Sequence, residues 1–299
     1  QRCALNLAGI TKDEIERGDW IADARLLQAS ERIDIHMHLL TQAPAMQQWT
    51  PVHVHLGTRR TTGHIALLQD EAIEPGTEAR VQLVLDTPVF TRPGDRLILR
   101  NAQASHTIAG GMVLDPYAPT RKRRSAERMA YLDAMEQLIK HGDFAALIAQ
   151  ATHGVALSQL TRLSGQALDD AQPLPHTVIL PTADGDALAI DETRWQSLQT
   201  QTLQTLQRFH EKSPDEPGVN AARLRRMALP MEDDALVLLL IENMRESGVI
   251  KSHHGWLHLP DHKAGFTAEQ EVIWQKVASL FGDEPWWVRD LARETNTDE

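Results

Sequence analysis

Residues 33–38, Ile-Asp-Ile-His-Met-His, alternate apolar and polar side chains, and residues 52–56, Val-His-Val-His-Leu, do the same. This two-residue period predicts strands with one buried face. Many short strands without a long helix between them predict an antiparallel barrel or sandwich. Further runs of this kind lie at 64–68, 81–85, 96–100 and 112–114, and turn residues separate them at Glu74-Pro75-Gly76 and Arg92-Pro93-Gly94-Asp95.

Helical patterns replace the strands after a basic linker at residues 119–125. The apolar residues of 126–140 and 143–150 have helical spacing. Two strand-turn-strand patterns are centred on Asp184-Gly185 and His254-Gly255, with their glycines 70 residues apart. Helices followed by a β-hairpin are the layout of a winged-helix domain. We therefore expect a barrel at 31–118, winged-helix units at 126–193 and 194–262, and a third unit at 263–299 that stops before its hairpin.

Composition narrows the class of protein. The 299 residues carry a net charge of −11, but residues 1–125 hold 15 Lys/Arg against 14 Asp/Glu, so the acidic excess belongs to the helical part. No apolar run approaches the roughly 18 residues that a membrane span needs, and no membrane partner is expected. A single cysteine, Cys3, cannot form an internal disulfide, which favours a cytoplasmic location.

Motifs for catalysis and nucleotide binding are missing from the sequence. G-x-S-x-G, H-E-x-x-H, a Walker-type phosphate loop and G-x-G-x-x-G do not occur. We predict no catalytic residue, no bound cofactor and no enzyme activity for this chain. Two histidine pairs, His36 with His38 and His53 with His55, would suit zinc or nickel if they lay on adjacent strands. Their alternation with apolar residues favours a solvated sheet face instead, so no metal site is predicted.

Clustered cations are the remaining candidates for a function. Arg121, Lys122, Arg123 and Arg124 are either phosphate contacts, because clustered cations release counterions on binding, or a solubilising hinge. Both interpretations stay open. A second cluster, at 223–226, could face RNA or DNA, but pairing with the acidic residues 232–234 is favoured.

Sequence patterns at three places resemble translational GTPases of the elongation factor Tu type. Residues 4–23 resemble the end of the second domain of those proteins, where a strand ending in glycine precedes I-x-x-x-x-I-x-R-G-x-x-[IVL]. The following barrel resembles their third domain, in the strand Thr62-Gly63-His64-Ile65, the turn Pro93-Gly94-Asp95 and the last-strand pattern of 105–113, except that His106 replaces arginine. The residues that match the first pattern are Gly9, Ile10, Ile15, Arg17, Gly18 and Ile21.

A barrel followed by tandem winged helices resembles one branch of these proteins, the bacterial selenocysteine-specific elongation factors. The resemblance is clearest over 224–290. It implies a parent that binds GTP with magnesium, carries selenocysteyl-tRNA to the ribosome and recognises an mRNA hairpin beside a UGA codon. It also implies that residues 1–30 end the second barrel, that the GTPase domain is absent, and that the hairpin is gripped by C-terminal winged helices missing here.

The resemblance further implies which residues contact RNA. In this family the third-domain barrel meets the T-stem backbone of tRNA. The matching positions are Arg59, Arg60, Thr62, Gln103, Ser105 and His106. The alternative is a winged-helix DNA-binding transcription regulator with a β-barrel sensor, against which the acidic winged units argue because phosphate neutralisation dominates DNA affinity.

Overall fold

The computed structural model describes residues 4–166, 168, 174–266, 268–281 and 286–295. The chain folds as two compact units, Gln1–Glu192 and Thr193–Glu299. Cys3 lies outside the described residues.

A closed antiparallel barrel forms most of the first unit. Its strand order is β1-β6-β4-β3-β7-β8, with a small separate pair formed by β2 and β5. The predicted antiparallel barrel is confirmed. The strands are β1 (Ser30–Leu39), β2 (Met46–Gln47), β3 (Pro51–Leu56), β4 (Arg59–Leu67), β5 (Ala72–Ile73), β6 (Glu78–Val89), β7 (Arg96–Arg100) and β8 (Thr107–Asp115).

Alternation along the strands builds the core of the barrel. On β1, Ile33, Ile35 and Met37 are buried, while His36 is partly exposed and His38 is exposed. Several strands extend beyond their predicted apolar runs. β6, for example, also pairs through Glu78, opposite His38. Polar residues continue the ladder there because backbone hydrogen bonds do not require apolar side chains.

Before the barrel, residues 4–29 contain one short helical turn, Lys12–Glu14. The Glu14 carboxylate accepts hydrogen bonds from the Thr11 backbone N–H at 2.7 Å and from its hydroxyl at 2.8 Å. This reciprocal arrangement of Thr11 and Glu14 is a capping box. The segment leaves several large apolar side chains exposed, namely Leu5, Ile10, Ile15, Trp20 and Ile21.

The first unit continues with a winged-helix layout. A three-stranded sheet of order β10-β11-β9 packs on three helices, and Gly142 and Gly165 end two of those helices in left-handed conformations. Its elements are α1 (Ala126–His141), α2 (Ala145–Gln150), β9 (Val155–Ala156), α3 (Leu157–Ser164), β10 (Thr177–Pro181) and β11 (Ala187–Asp191).

Helix α1 is held on the barrel by a buried charge cluster. The Arg128 guanidinium donates to Asp34 Oδ2 at 3.0 Å through Nε, and to Asp115 Oδ2 at 2.6 Å. The side chains of Asp34 and Asp115 are 0% and 3% exposed, and that of Arg128 is 10% exposed. Burial raises the pKa of Asp34, and the charge of Arg128 opposes that rise. The two carboxylates therefore depend on this one cation.

Neighbouring groups complete the cluster. Gln82, paired with Asp34 across β6 and β1, donates to Asp34 Oδ1 at 3.0 Å and to the Pro119 carbonyl at 3.1 Å. The Arg128 guanidinium also lies 4.7 Å from the ring centroid of Tyr131. Burial raises the pKa of Tyr131, so its hydroxyl stays neutral. The apolar part of the contact is formed by Leu68, Leu114 and Leu132.

We expect Arg128→Met to destabilise the first unit by about 3–5 kcal/mol, because it leaves two buried carboxylates without a cation. Urea unfolding combined with hydrogen exchange of β1 peptides measures this loss. Arg121→Met, on the exposed linker, is the control and should change stability by no more than about 0.5 kcal/mol. Equal effects of the two substitutions would contradict the role of Arg128.

The second unit begins with a complete winged-helix layout of three helices and a hairpin. Two more helices follow, as expected for the start of a third unit. The elements are α4 (Glu192–Lys212), α5 (Ala221–Ala228), α6 (Asp234–Glu246), β12 (Lys251–His253), β13 (Trp256–His258), α7 (Ala268–Ala278) and α8 (Val288–Thr295).

A stacked histidine pair joins α4 to the segment after the hairpin. The rings of His210 and His262 lie 3.6 Å apart. His210 Nε2 accepts from the Leu259 backbone N–H at 3.3 Å, and His262 Nε2 donates to the Glu216 carbonyl at 2.8 Å. Burial, followed by the charges of His262 and His258, lowers the pKa of His210 to about 4. His210 is therefore neutral in the folded protein at neutral pH.

We expect the second unit to lose stability as the pH falls from about 6.5 to about 4. In that window the unfolded chain takes up a proton on His210 that the folded chain rejects, so acid favours unfolding. His210→Gln keeps an acceptor for Leu259 and should weaken this pH dependence. The exposed His253→Gln is the control. Thermal unfolding across the pH range measures both, and identical profiles for the two variants would refute the assignment.

Candidate RNA-binding face of the barrel

Three neighbouring strands present polar and cationic side chains in two rows. In the first row, His53 on β3 pairs with Thr62 on β4 and with Arg100 on β7. In the second row, His55 pairs with Arg60 and with Ile98. Directly paired residues in antiparallel strands point to the same side. That side is the outer one, since the intervening Val52, Val54 and Leu56 are buried. We call the surface formed by His53, His55, Arg60, Thr62 and Arg100 the outer face.

The loop between β7 and β8 is fastened to this face. Asn101 organises the loop: its Oδ1 accepts from the Ser105 backbone N–H at 2.8 Å, and its Nδ2 donates to Gln103 Oε1 at 3.0 Å. His53 Nε2 donates to the Ala102 carbonyl at 3.1 Å, and Arg100 donates to the Ser105 carbonyl at 3.2 Å. The loop residues predicted from the resemblance are thus held beside the outer face in a defined conformation.

The remaining two predicted residues of this region, Thr62 and His106, already have partners. The Thr62 hydroxyl donates to Asp86 on β6, which places a carboxylate at the edge of the outer face. His106 Nδ1 lies 2.9 Å from the Ser105 hydroxyl, and its ring is exposed. His106 therefore remains accessible as a donor, whereas Thr62 is engaged within the sheet.

Arg59 is separated from the other predicted residues. It starts β4 and lies under residues 16–18, with its Nη1 3.9 Å from the Glu16 carboxylate. Gly18 approaches so closely, at φ +109°, that a Cβ there would lie 2.5 Å from Arg59 Cδ. Arg60 is exposed on the outer face. The two arginines, treated as one pair from the sequence, therefore have different surroundings.

The four linker cations also divide into two groups. Arg124 donates to the carbonyls of Leu68 at 3.2 Å and Gln69 at 3.0 Å, and the Arg123 guanidinium lies 5.4 Å from the ring centroid of Trp49. These two hold the linker on the barrel, which argues against a solubilising hinge at their positions. Arg121 and Lys122 are exposed and line a cleft of about 360 Å³ together with residues 152–154 of the winged-helix unit.

Positive charge on the outer face affects its histidines. Burial lowers the pKa of His55, and the nearby Arg60 and Arg100 guanidiniums lower it further. Arg100 was not predicted as a site residue. The register of β3 against β7 places it beside His53, and no short motif carries that information.

The two histidine pairs do not form one cluster. His36 and His38 lie on β1 and His53 and His55 on β3, and these strands are not neighbours in the barrel. Within the described part of the chain, no group of three or more His, Cys, Asp or Glu side chains could hold a metal ion. In the same part, no helix is long and apolar enough to cross a membrane.

Comparison with known proteins gives consistent matches along the chain. Residues 31–120 match the family described as selenocysteine-specific elongation factor, beta-barrel domain. Residues 203–259 match elongation factor SelB, winged helix, and residues 266–299 match selenocysteine-specific elongation factor, winged helix domain. A crystal structure of bacterial selenocysteine-specific elongation factor EF-Sec shares the fold, with a TM-score of 0.54 and 15% identity over 97% of this chain and 44% of that chain.

Curated relatives carry the same description. The selenocysteine-specific elongation factor of Escherichia coli strain K12 is 44% identical over all of this chain and 47% of that protein. That of Haemophilus influenzae is 32% identical over all of this chain and 48% of that protein. The chain thus spans about half the length of the curated relatives it matches.

A closed barrel followed by winged-helix units is the domain architecture that these matches describe. The chain belongs to the family of selenocysteine-specific elongation factors. This membership favours the translation-factor interpretation over the transcription regulator.

We expect Arg60→Gln to raise the pKa of His55 toward its ordinary value, because the substitution removes one of the cations that oppose protonation of the imidazole. Nuclear magnetic resonance titration of the histidine ring protons measures the change. Lys122→Gln removes the same charge from the linker and should leave His55 unchanged. An equal response to both substitutions would show that Arg60 does not lie beside His55.

Proposed function

We propose that this chain supplies the tRNA-facing barrel and the winged-helix arm of a factor that delivers selenocysteyl-tRNA to the ribosome. Delivery takes place at UGA codons marked by an mRNA hairpin, for selenocysteine incorporation. Family membership supports the general role. The observation that supports the tRNA contact is the outer face, where Arg60, Arg100, His53 and His55 lie on three adjacent strands.

The chemistry of the outer face suits a nucleic-acid backbone. Arg60 is an exposed cation and Arg100 a partly exposed one, so both can neutralise phosphate charge. Neutralising phosphates releases the counterions bound to the nucleic acid, and this release supplies most of the sequence-independent affinity. Double-stranded RNA is recognised mainly by its shape and by phosphate and 2′-hydroxyl contacts, for which no base-reading groups are needed. A tRNA stem is a ligand of this kind.

The loop beside the face adds neutral donors in fixed positions. Because Asn101 holds Gln103 and Ser105 within one hydrogen-bonded loop, little side-chain entropy is lost when RNA binds. His106 contributes an exposed imidazole where the family pattern has arginine. We assign the loop to sugar and phosphate contacts next to those of Arg60.

Arg121 and Lys122 are assigned to a further backbone contact on the same unit. Arg123 and Arg124 keep the linker on the barrel and so support the position of the other two cations. The share of this chain in delivery is binding and positioning. We assign it no catalytic residue and no cofactor, with GTP and magnesium serving the parent protein, and we assign hairpin recognition to C-terminal winged helices.

We expect Arg60→Glu to weaken binding of a tRNA roughly tenfold at low salt. The slope of log affinity against log salt concentration should decrease by the equivalent of about one phosphate contact. Arg59→Glu should have a smaller effect, because Arg59 lies under residues 16–18 next to Glu16. Filter binding over a range of salt concentrations measures both variants.

The comparison of the two arginines tests the assignment of the face. Each substitution changes the net charge of the protein by the same amount. A difference in tRNA affinity between the two variants therefore reflects the position of the arginine. Circular dichroism confirms that both variants fold. If Arg59→Glu weakens tRNA binding as much as Arg60→Glu does, the contact does not lie on the outer face as defined here.

A further inference from the structure

A cationic cleft lies between α4 and α5 in the second unit. Its volume is about 410 Å³, within the range of roughly 300–1,000 Å³ that is usual for binding clefts. Three cations line it, Arg208 and Lys212 from α4 and Arg223 from α5, together with Phe209 and Met227. The second unit as a whole is acidic, with 12 Lys/Arg against 17 Asp/Glu over residues 193–299. The charge in the cleft is therefore opposite to that of its surroundings.

Arg223 is held in position at the edge of the cleft. Its guanidinium lies 4.9 Å from the ring centroid of Phe209, which is buried, and 3.3 Å from the Glu216 carboxylate. The Arg223 side chain remains 44% exposed. A stacked guanidinium presents its remaining N–H groups in a fixed plane, which suits bidentate binding of a phosphate.

Arg208 and Lys212 lie one helical turn apart, so their side chains project from the same face of α4. Neither forms an ion pair with another residue that the structure describes. The nearby Glu211 instead accepts a hydrogen bond from Gln207 at 3.0 Å. Two uncompensated cations beside a positioned arginine attract an anionic ligand.

Three other arginines of this unit are compensated by carboxylates. Arg194 pairs with Glu232, Arg225 with Asp234, and Arg245 with Glu242. The prediction that the basic residues near 223–226 pair with the acidic residues 232–234 is therefore confirmed for Arg225. It is wrong for Arg223, which lies in the cleft with Glu216 as its partner.

The usual nucleic-acid-reading helix of a winged-helix domain is poorly suited to that task here. In DNA-binding proteins of this kind, the recognition helix enters the major groove. The helix at the equivalent position of this unit, directly before the hairpin, is α6. The one cation in its sequence, Arg245, is paired with Glu242. Glu246 is exposed, and Leu238 is 60% exposed. Carboxylates repel phosphate. Because the cation of α6 is already paired, another surface of this unit is better suited to a contact with nucleic acid.

We propose that the cleft of Arg208, Lys212 and Arg223 binds the phosphate backbone of RNA, so that the second winged-helix unit contacts RNA through α4 and α5 and not through α6. The contact is independent of base sequence, because the cleft offers cations without a set of groups arranged to read base edges. RNA is favoured over an acidic protein segment because the proposed function brings this chain against RNA. The proposal would still stand if the barrel contact were absent.

The test compares two double variants of the full chain that lose the same charge. Arg208→Gln with Lys212→Gln removes two cations of the cleft. Lys251→Gln with Lys276→Gln removes two exposed cations from the hairpin and from α7. Both pairs are also made in the Arg60→Glu background, which weakens the proposed barrel contact. The probe is a short RNA hairpin of unrelated sequence, and polyglutamate serves as a competitor.

We expect the cleft variant to bind the RNA roughly tenfold more weakly at low salt. The slope of log affinity against log salt concentration should decrease by the equivalent of about two phosphate contacts. The control variant should stay close to the parent protein, and the same difference should appear in the Arg60→Glu background. Equal affinities of the cleft and control variants would overturn the proposal. So would competition by polyglutamate that depends on the cleft while RNA binding does not, because the ligand would then be an acidic protein segment.

Discussion

The guanidinium of Arg128 forms the buried charged contact between the barrel and α1, beside the apolar contact of Leu68, Leu114 and Leu132. It leaves α1 and lies between Asp34 on β1 and Asp115 at the end of β8. Three charges removed from water are tolerated together only when each has its partners, and removing one partner leaves the others buried and uncompensated. Because Gln82 binds both Asp34 and the Pro119 carbonyl, the linker is tied to the same cluster. The contact of α1 with the barrel therefore also fixes the path of the linker that joins them.

This arrangement explains why the basic linker is ordered. Four successive cations would repel one another in a free segment. Here Arg124 binds carbonyl groups at the end of β4, and Arg123 lies against Trp49. Half of the linker's positive charge is thus used to hold the linker in place. The other half, Arg121 and Lys122, remains exposed at a position that the buried cluster of Arg128 maintains.

Local patterns predicted much of this fold because they depend on neighbours in sequence. The alternation in 33–38 fixes which side of β1 is buried, and Asp184-Gly185 marks a hairpin that the structure contains. The site was harder to predict. Arg59 and Arg60 are adjacent in sequence, yet one lies under residues 16–18 and the other is exposed, a difference that depends on how a distant segment packs. The role of Arg128 had no local signature either, since its partner Asp34 is 94 residues away.

Net charge is a poor guide to where a nucleic acid could bind, for the same reason. If its charges were spread evenly, the acidic excess of the second unit would oppose nucleic-acid binding. Many of these charges, however, are neutralised by ion pairs. Once Arg225 and Arg245 are paired with carboxylates, what an approaching phosphate meets is the set of charges left uncompensated on each face. On α6 that set contains no cation, because Arg245 is paired with Glu242, whereas the cleft of α4 and α5 holds Arg208 and Lys212. Attraction between charges is screened over about 8 Å at physiological salt, so the charges near a bound phosphate outweigh the net charge of the unit. A winged helix of negative overall charge can therefore bind RNA on one side while it offers phosphate no unpaired cation on the helix that such domains ordinarily use.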